Sequence, residues 1–327
     1  MSKKIGVIGG GSWATAIAKM LSNNCDSVNW WMRDESQVQH FKEFNHNSKY
    51  LTAADFVSGV LEVSSDLGDV VKNSDILIVA TPSAFIHTIF NGVDLSGKII
   101  ISAVKGIVPQ TNEIPAEYFK NNFGVKLDRF GIICGPCHAE EVAMERLSYL
   151  TIASENKELA TFISNQLSCR YIQCTVSTDV VGMEISAILK NVYALTSGVA
   201  HGLGYGDNFI AVLISNALQE IEAFTNATYP IERDVKLSAY LGDLLVTAYS
   251  PHSRNRRFGN MIGKGYSVKA IQQEMNMIAE GYYAAACIHK MNQTSKIDLP
   301  IAESIYDILY NNASPKLTIA QLSKKLA

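Results

Sequence analysis

The sequence predicts an α/β protein, with a doubly wound parallel sheet at the N-terminus followed by an all-α C-terminal domain. Three observations lead there. Short apolar runs of strand length alternate with amphipathic helical stretches through the first half. A glycine-rich turn joins the first such run to the first helix. Strand signals stop near Val176, and long helical patterns take over.

The strand signals are Ile5–Ile8, Val28–Met32, Ile76–Ala80, Lys98–Val104 and Phe130–Cys134, several of them apolar throughout. Continuous apolar runs suit strands covered on both faces, as in a parallel sheet, whereas half-exposed strands alternate. Helical patterns lie between them at Trp13–Ser22, Glu35–Phe44 and Ala84–Phe90. Two more strands are expected near Leu150–Ala153 and Arg170–Cys174. Beyond them the helical patterns are Met183–Ser197, Phe209–Thr225 and Val268–Met291, separated by glycine-rich breaks at Gly202–Gly206, Gly242 and Gly259–Gly265. The expected division is therefore residues 1–178 and residues 179–327.

Composition narrows the function classes. The chain has 327 residues, 47% hydrophobic and 18% charged, enough for two packed cores with no stretch of disordered composition. A net charge of −3 gives no electrostatic footprint for nucleic acid or anionic membrane, so any phosphate must be met by local basic groups. Six dispersed cysteines fit reduced thiols in a cytoplasm better than a disulfide scaffold. Lys3 and Lys4 ahead of an apolar stretch imitate a secretion signal, but Gly9, Gly10, Gly11 and Ser12 break that stretch. No segment has the uninterrupted apolar length of a membrane span.

Val7-Ile8-Gly9-Gly10-Gly11-Ser12-Trp13-Ala14 closes the first strand and opens the first helix. Gly9 permits the tight turn, Gly11 allows a pyrophosphate close to the backbone, and Ala14 is small enough for close helix–strand packing. The helix N-terminus would bind the anion. A glycine turn alone is weak, but this one has a strand before it, a helix after it and a second strand at the right distance. That context makes it a Rossmann-type dinucleotide site. The second strand ends in Arg33-Asp34, 22 positions after Gly11. Arginine there accommodates the extra phosphate of NADP and favours NADPH; Asp34 leaves NAD open, and a solvated turn is the plain alternative.

In the second half Lys190 lies within an otherwise apolar helical stretch. It could snorkel to the surface, or its ammonium could be desolvated and suited to proton transfer at a developing alkoxide. Asp243 follows Gly242 as a carboxylate in an apolar run, with a helix N-cap as the plain reading. Ser253-Arg254-Asn255-Arg256-Arg257 is a basic turn or the local anion site that an acidic chain needs.

These residues, with Gly135-Pro136, Leu189-Lys190-Asn191, the Gly202–Asn208 turn, Gly242-Asp243, Ser253 to Gly259 and Ala279-Glu280-Gly281, resemble the bacterial-type NAD(P)-dependent glycerol-3-phosphate dehydrogenases, from Lys4 to about Lys325. The resemblance implies a helical domain like that of 6-phosphogluconate dehydrogenase. It also implies reversible reduction of dihydroxyacetone phosphate to sn-glycerol 3-phosphate for glycerophospholipid synthesis, and a homodimer. By the same resemblance Ser12, Trp13, Arg33, Tyr50, Ala139, Ile278 and Glu280 line the cofactor with Gly9 and Gly11. Lys105 and Arg254 touch both cofactor and substrate. Lys190 is the proton donor and acceptor, with Asp243 beside it. Gly135, Cys137, Asp243, Ser253, Arg254 and Asn255 hold the substrate, and no metal is implied.

Two departures matter. Cys137 stands where the family carries serine or threonine, and a thiol is the weaker donor. His201 replaces an acidic residue before the Gly-Leu-Gly turn. Cys134-Gly135-Pro136-Cys137 also spells a thioredoxin-type motif, so a thiol–disulfide protein or a redox-regulated enzyme is a second reading. A 6-phosphogluconate or β-hydroxyacid dehydrogenase would lack the Ser253–Arg257 block. A non-catalytic NADPH sensor would lack the Lys190–Asp243 pair.

Overall fold

A computed structural model describes residues 3–275 and 279–327. The chain divides into two compact units, residues 1–104 with 113–180, and residues 105–112 with 181–327. The segment 105–112, which the sequence reading left in the first domain, belongs by its contacts to the second.

In the first unit the order is β1 (Ile5–Ile8), α1 (Ser12–Leu21), β2 (Val28–Trp31), α2 (Glu35–Phe44), β3 (Leu61–Ser64), α3 (Leu67–Lys72), β4 (Ile76–Val79), α4 (Ser83–Phe90), β5 (Ile99–Ser102), α5 (Pro115–Phe123), β6 (Phe130–Cys134), α6 (Ala139–Ala143), β7 (Ser148–Ala153), α7 (Lys157–Leu167) and β8 (Ile172–Ser177). The strands form one sheet in the order β3-β2-β1-β4-β5-β6-β7-β8. The first six run parallel; β7 reverses against β6, and β8 follows β7. The four strands β1, β2, β4 and β6 are buried along their whole length, as continuous apolar runs require. The step from β3 back through β1 to β4 reverses the winding, and such a switch point opens a crevice at the carboxyl ends of the strands.

Beneath the β1–α1 turn Trp30 is fully buried, with Phe41 edge-on at 5.3 Å and Phe56 at 5.9 Å. Aromatic packing of this kind fixes ring position as well as burying area. Its indole N–H donates to the Gly9 carbonyl at 2.6 Å, so the core holds the turn directly.

The second unit contains α8 (Val180–Gly202), α9 (Asp207–Thr228), α10 (Asp243–Tyr249), α11 (Arg254–Gly263), α12 (Val268–Glu274), α13 (Glu280–Ser295), α14 (Pro300–Tyr310) and α15 (Pro315–Leu322). Every residue of α8 from Gly182 to Ala200 is buried, so this helix is the axis of the unit, apolar nearly all round. A single helix was expected over Val268–Met291. The chain instead leaves the helical region at Met275 (φ −83°, ψ 114°) and starts again at Glu280. No proline or glycine marks that break. Gly281 stands at the restart because a Cβ there would lie 2.5 Å from the Asn191 carbonyl oxygen on α8.

The same close approach explains Gly259. A Cβ on it would sit 2.0 Å from the Leu195 carbonyl oxygen, so α11 crosses α8 backbone to backbone. Backbone atoms cannot rotate away, and overpacking of this kind costs about 1–3 kcal/mol or more. Gly259→Ala should therefore lower the urea unfolding midpoint with an unchanged slope. An unaltered midpoint would show that α11 does not need that contact.

Candidate active site

The cofactor-side residues are built on the β1–α1 turn. Gly9 has φ +135°, and a Cβ there would meet the Ala80 carbonyl oxygen at 2.6 Å. Gly11 caps α1, and the space its Cβ would occupy is open. The carbonyls of the turn are tied down from behind. Gly10 O accepts from Gln37 Nε2 at 2.8 Å and Asn47 Nδ2 at 3.1 Å, and Gly11 O accepts from the Thr15 hydroxyl at 2.9 Å. Asn47 Nδ2 also donates to Thr15 Oγ1, and its Oδ1 accepts from the backbone of Lys49 and Tyr50. Ser12 and Trp13 then open the helix, whose first-turn N–H groups have no acceptor within the helix. Room at Gly11 and the N-terminus of a ten-residue helix fit a dinucleotide pyrophosphate.

At the end of β2 the Arg33 guanidinium is exposed and lies 5.8 Å from the centre of the Phe85 ring. Asp34 caps α2, accepting from the Ser36 backbone at 2.9 Å, and pairs with Lys49. Those bonds hold its carboxyl below the usual carboxylate range, the Lys49 contact foremost. The acidic residue is thus committed locally while the arginine is presented to solvent.

Gly135, Cys137 and Ala139 also lie in the first unit. Gly135 has φ +118°, with β7 backbone where a Cβ would go. The Cys134 and Cys137 thiols donate to the carbonyls of Thr151 at 3.3 Å and Tyr149 at 3.1 Å on β7. Helix α6 begins only at Ala139 and has five residues. The thiol-redox reading needs its first cysteine at the start of a helix, where the thiolate is stabilised. Cys134 instead ends a buried strand.

The second unit contains a buried lysine–aspartate pair. Lys190 is 4% exposed and does not snorkel; its ammonium pairs with Asp243 Oδ1. Asp243 is the first residue of α10, after a wide π-helical turn at Ser238–Gly242. Its carboxylate is turned to the lysines instead of capping the helix, and Lys105 Nζ reaches Oδ2 at 3.4 Å. Burial lowers the Lys190 pKa from its ordinary value to about 7; Asp243 opposes that shift and Lys105 adds to it. One carboxylate between two amines is an arrangement that could stabilise a developing oxyanion.

Next to Lys190, Asn191 spans three segments. Its amide donates to the Lys105 carbonyl at 2.7 Å and its Oδ1 accepts from Asn255 Nδ2 at 2.8 Å. Asn255 Oδ1 in turn accepts from the Gly281 N–H at 3.0 Å. Ser253 caps α11 by accepting from the Arg256 backbone, and Arg254, the first helical residue, is exposed. Hydrogen bonds thus bring Lys105, Lys190, Asp243, Asn255 and the N-termini of α11 and α13 together. Glu280 opens α13 within that group; Ile278 lies outside the described residues. Sequence reasoning gave no role to Asn191, Gln37 or Asn47. Asn191 stood inside a motif already quoted, whereas nothing in the local pattern distinguishes Asn47.

A dinucleotide-type turn on a doubly wound sheet, with a buried lysine–aspartate pair in a helical unit, defines the class of nicotinamide-dependent dehydrogenases. Within that class the comparison is specific. The model for the N-terminus of NAD-dependent glycerol-3-phosphate dehydrogenase matches residues 4–160, and the model for its C-terminus matches residues 179–320. The chain belongs to the NAD-dependent glycerol-3-phosphate dehydrogenase family. It is 33% identical to the NAD(P)+ glycerol-3-phosphate dehydrogenase of Lactiplantibacillus plantarum, over 99% of this chain and 98% of that one. It is 34% identical to the enzyme of that name from Syntrophotalea carbinolica, over 98% and 97%. The solved glycerol-3-phosphate dehydrogenase from Coxiella burnetii superposes with a TM-score of 0.91 at 26% identity, covering 98% of each chain. No described helix is long and apolar enough to cross a membrane.

Replacing Lys190 with alanine should lower kcat about 10²–10⁴-fold, the usual contribution of a positioned proton donor. Cofactor affinity, read by fluorescence titration, should stay within a few-fold. A kcat near that of the unsubstituted chain would remove Lys190 from the chemistry.

Proposed function

We propose that this chain reversibly reduces dihydroxyacetone phosphate to sn-glycerol 3-phosphate with a nicotinamide dinucleotide, feeding glycerophospholipid synthesis. The observation that carries this reading is Lys190, buried against Asp243 with Lys105 on the same carboxylate, where burial lowers its pKa from the ordinary lysine value. A general acid works best when its pKa lies near the operating pH. The bound nicotinamide supplies or accepts hydride at the substrate carbon. Lys190 gives its proton to the ketone oxygen during reduction and takes it back during oxidation. Asp243 fixes the direction of that ammonium, and Lys105 adds positive charge beside the oxygen.

The substrate phosphate is assigned to the start of α11. Arg254 offers a planar fork of donors there, and the helix N-terminus adds backbone N–H groups. The Ser253 hydroxyl and the second amide hydrogen of Asn255 complete the donor set. Gly135 and Cys137 are assigned to the substrate from the first unit. Binding energy from a phosphate that does not react positions the carbonyl that does.

Gly9, Gly11, Ser12, Trp13, Arg33, Tyr50 and Ala139 are assigned to the cofactor from the first unit. Lys105, Arg254, Ile278 and Glu280 are assigned from the second. NADPH is favoured over NADH because Arg33 is exposed while Asp34 is engaged by Ser36 and Lys49. The enzyme is read as a cytoplasmic homodimer, the sparse cysteines supporting that compartment.

One assay tests the assignment: loss of NADPH and NADH absorbance with dihydroxyacetone phosphate and with unphosphorylated dihydroxyacetone. The expected result is a higher kcat/KM with NADPH and strong preference for the phosphorylated ketone. Arg254→Ala should raise the KM for dihydroxyacetone phosphate at least tenfold and leave the poor turnover of dihydroxyacetone unchanged. An unchanged KM would exclude Arg254 from the phosphate site.

A further inference from the structure

Asn47 is completely buried, and every polar valence of its amide is used. Its Nδ2 donates to the Gly10 carbonyl at 3.1 Å and to Thr15 Oγ1 at 2.8 Å. Its Oδ1 accepts from Gln37 Nε2 at 2.7 Å and from the backbone N–H groups of Lys49 and Tyr50 at 3.0 and 3.2 Å. Exchanging the amide oxygen and nitrogen would set donor against donor at all three of the latter bonds, so the side chain has one orientation. Disturbing a buried amide of this kind leaves its partners unsatisfied, and the groups it joins are therefore held firmly.

The groups it joins belong to the two halves of a dinucleotide site. On one side is the glycine turn, where the pyrophosphate belongs. Gln37, itself buried on α2, donates to the same Gly10 carbonyl at 2.8 Å, and the Thr15 hydroxyl donates to the Gly11 carbonyl at 2.9 Å. On the other side is Lys49, whose half-exposed side chain pairs with Asp34 just past β2. An acidic residue at the end of the second strand hydrogen-bonds the adenosine ribose of NAD, whereas a cation there meets the extra phosphate of NADP. Paired with Lys49, Asp34 is neutralised, and Arg33, Asp34 and Lys49 together carry one more positive than negative charge. Without Lys49 the carboxylate would repel a phosphate and be free to accept from ribose hydroxyls.

We propose that Asn47 is a positioning residue for the cofactor, fixing the glycine turn and the Lys49–Asp34 pair to one another, and that Lys49 is a specificity-determining residue for NADPH over NADH. This rests on the assignment of the adenosine ribose to the end of β2, and it adds the residues that set the preference there. Being fully buried, Asn47 acts through its neighbours and not by contact with the dinucleotide. Its Oδ1 anchors the backbone of Lys49, so that side chain starts from a fixed point and loses less freedom when the dinucleotide binds. Its Nδ2 does the same for the turn through the Gly10 carbonyl.

The test is fluorescence titration of the full chain with NADPH and with NADH, without substrate, alongside the melting temperature of each variant. Thr15→Val breaks only the turn side of the network and should weaken both dinucleotides alike, leaving the ratio of their dissociation constants unchanged. Lys49→Met should weaken NADPH about tenfold, the worth of one charge-assisted hydrogen bond, and leave NADH as tightly bound or tighter. Asn47→Ala should weaken both, with an extra loss for NADPH of about threefold, the cost of ordering one long side chain. A residue that only stabilised the fold would lower the melting temperature and leave both dissociation constants in place. That result for Asn47→Ala, or an unchanged ratio in Lys49→Met, would overturn the proposal; Lys49→Met and Thr15→Val carry the test if Asn47→Ala does not fold. The preference of the unsubstituted chain tests the earlier reading of Arg33, whereas the change of ratio on substitution tests this one, so the two failures are told apart.

Discussion

The buried ion pair between Lys190 and Asp243 is the constraint around which the helical unit is organised. Two charges removed from water are unfavourable unless each keeps good partners, and breaking such a pair by removing one member is strongly destabilising. Here the carboxylate is 1% exposed and meets two amines, Lys190 and Lys105. The arrangement has one more positive than negative group, and burial works against the charge on Lys190. A lysine balanced in this way can hold a proton or release it near neutrality, which an exposed lysine cannot do.

Close backbone packing makes that pair possible. Helix α8 carries Lys190 and Asn191 on a segment buried on every side, so its neighbours must approach without side chains in between. Gly259 on α11 and Gly281 on α13 supply the approach. Each brings a helix N-terminus towards the same stretch of α8, and the amides of Asn191 and Asn255 join the three. The amide chain fixes orientation where purely apolar packing would leave several rotations open. In the first unit the logic is parallel: Trp30, Gln37, Asn47 and Thr15 take up the carbonyls of the glycine turn.

Much of this was legible in the order of residues. Continuous apolar runs marked β1, β2, β4, β5 and β6, because strands covered on both faces admit no alternation. The edge strand β3 (Leu61–Ser64) escaped notice, since only Val63 of it is buried and four residues carry no period. The reversal of β7 was also hidden: an apolar run gives burial, not direction. The break between α12 and α13 had no local signal, since neither proline nor glycine stands between Glu274 and Glu280. Lys190 and Asp243 were visible as charges in apolar surroundings, but whether each snorkelled, capped or paired depended on tertiary packing. Asn191 and Asn47 act through hydrogen bonds to residues far along the chain, and spacing cannot reveal those.

The direct test of the central claim is the pH dependence of kcat in both directions, in the unsubstituted chain and in Asp243→Asn. With Lys190 as the proposed proton donor, reduction should be fast below its folded pKa and fall as pH rises through it; oxidation should do the reverse. Asp243 raises that pKa, so Asn at 243 should move both inflections to lower pH. Profiles without an inflection near neutrality, or inflections that stay in place in the variant, would contradict the account.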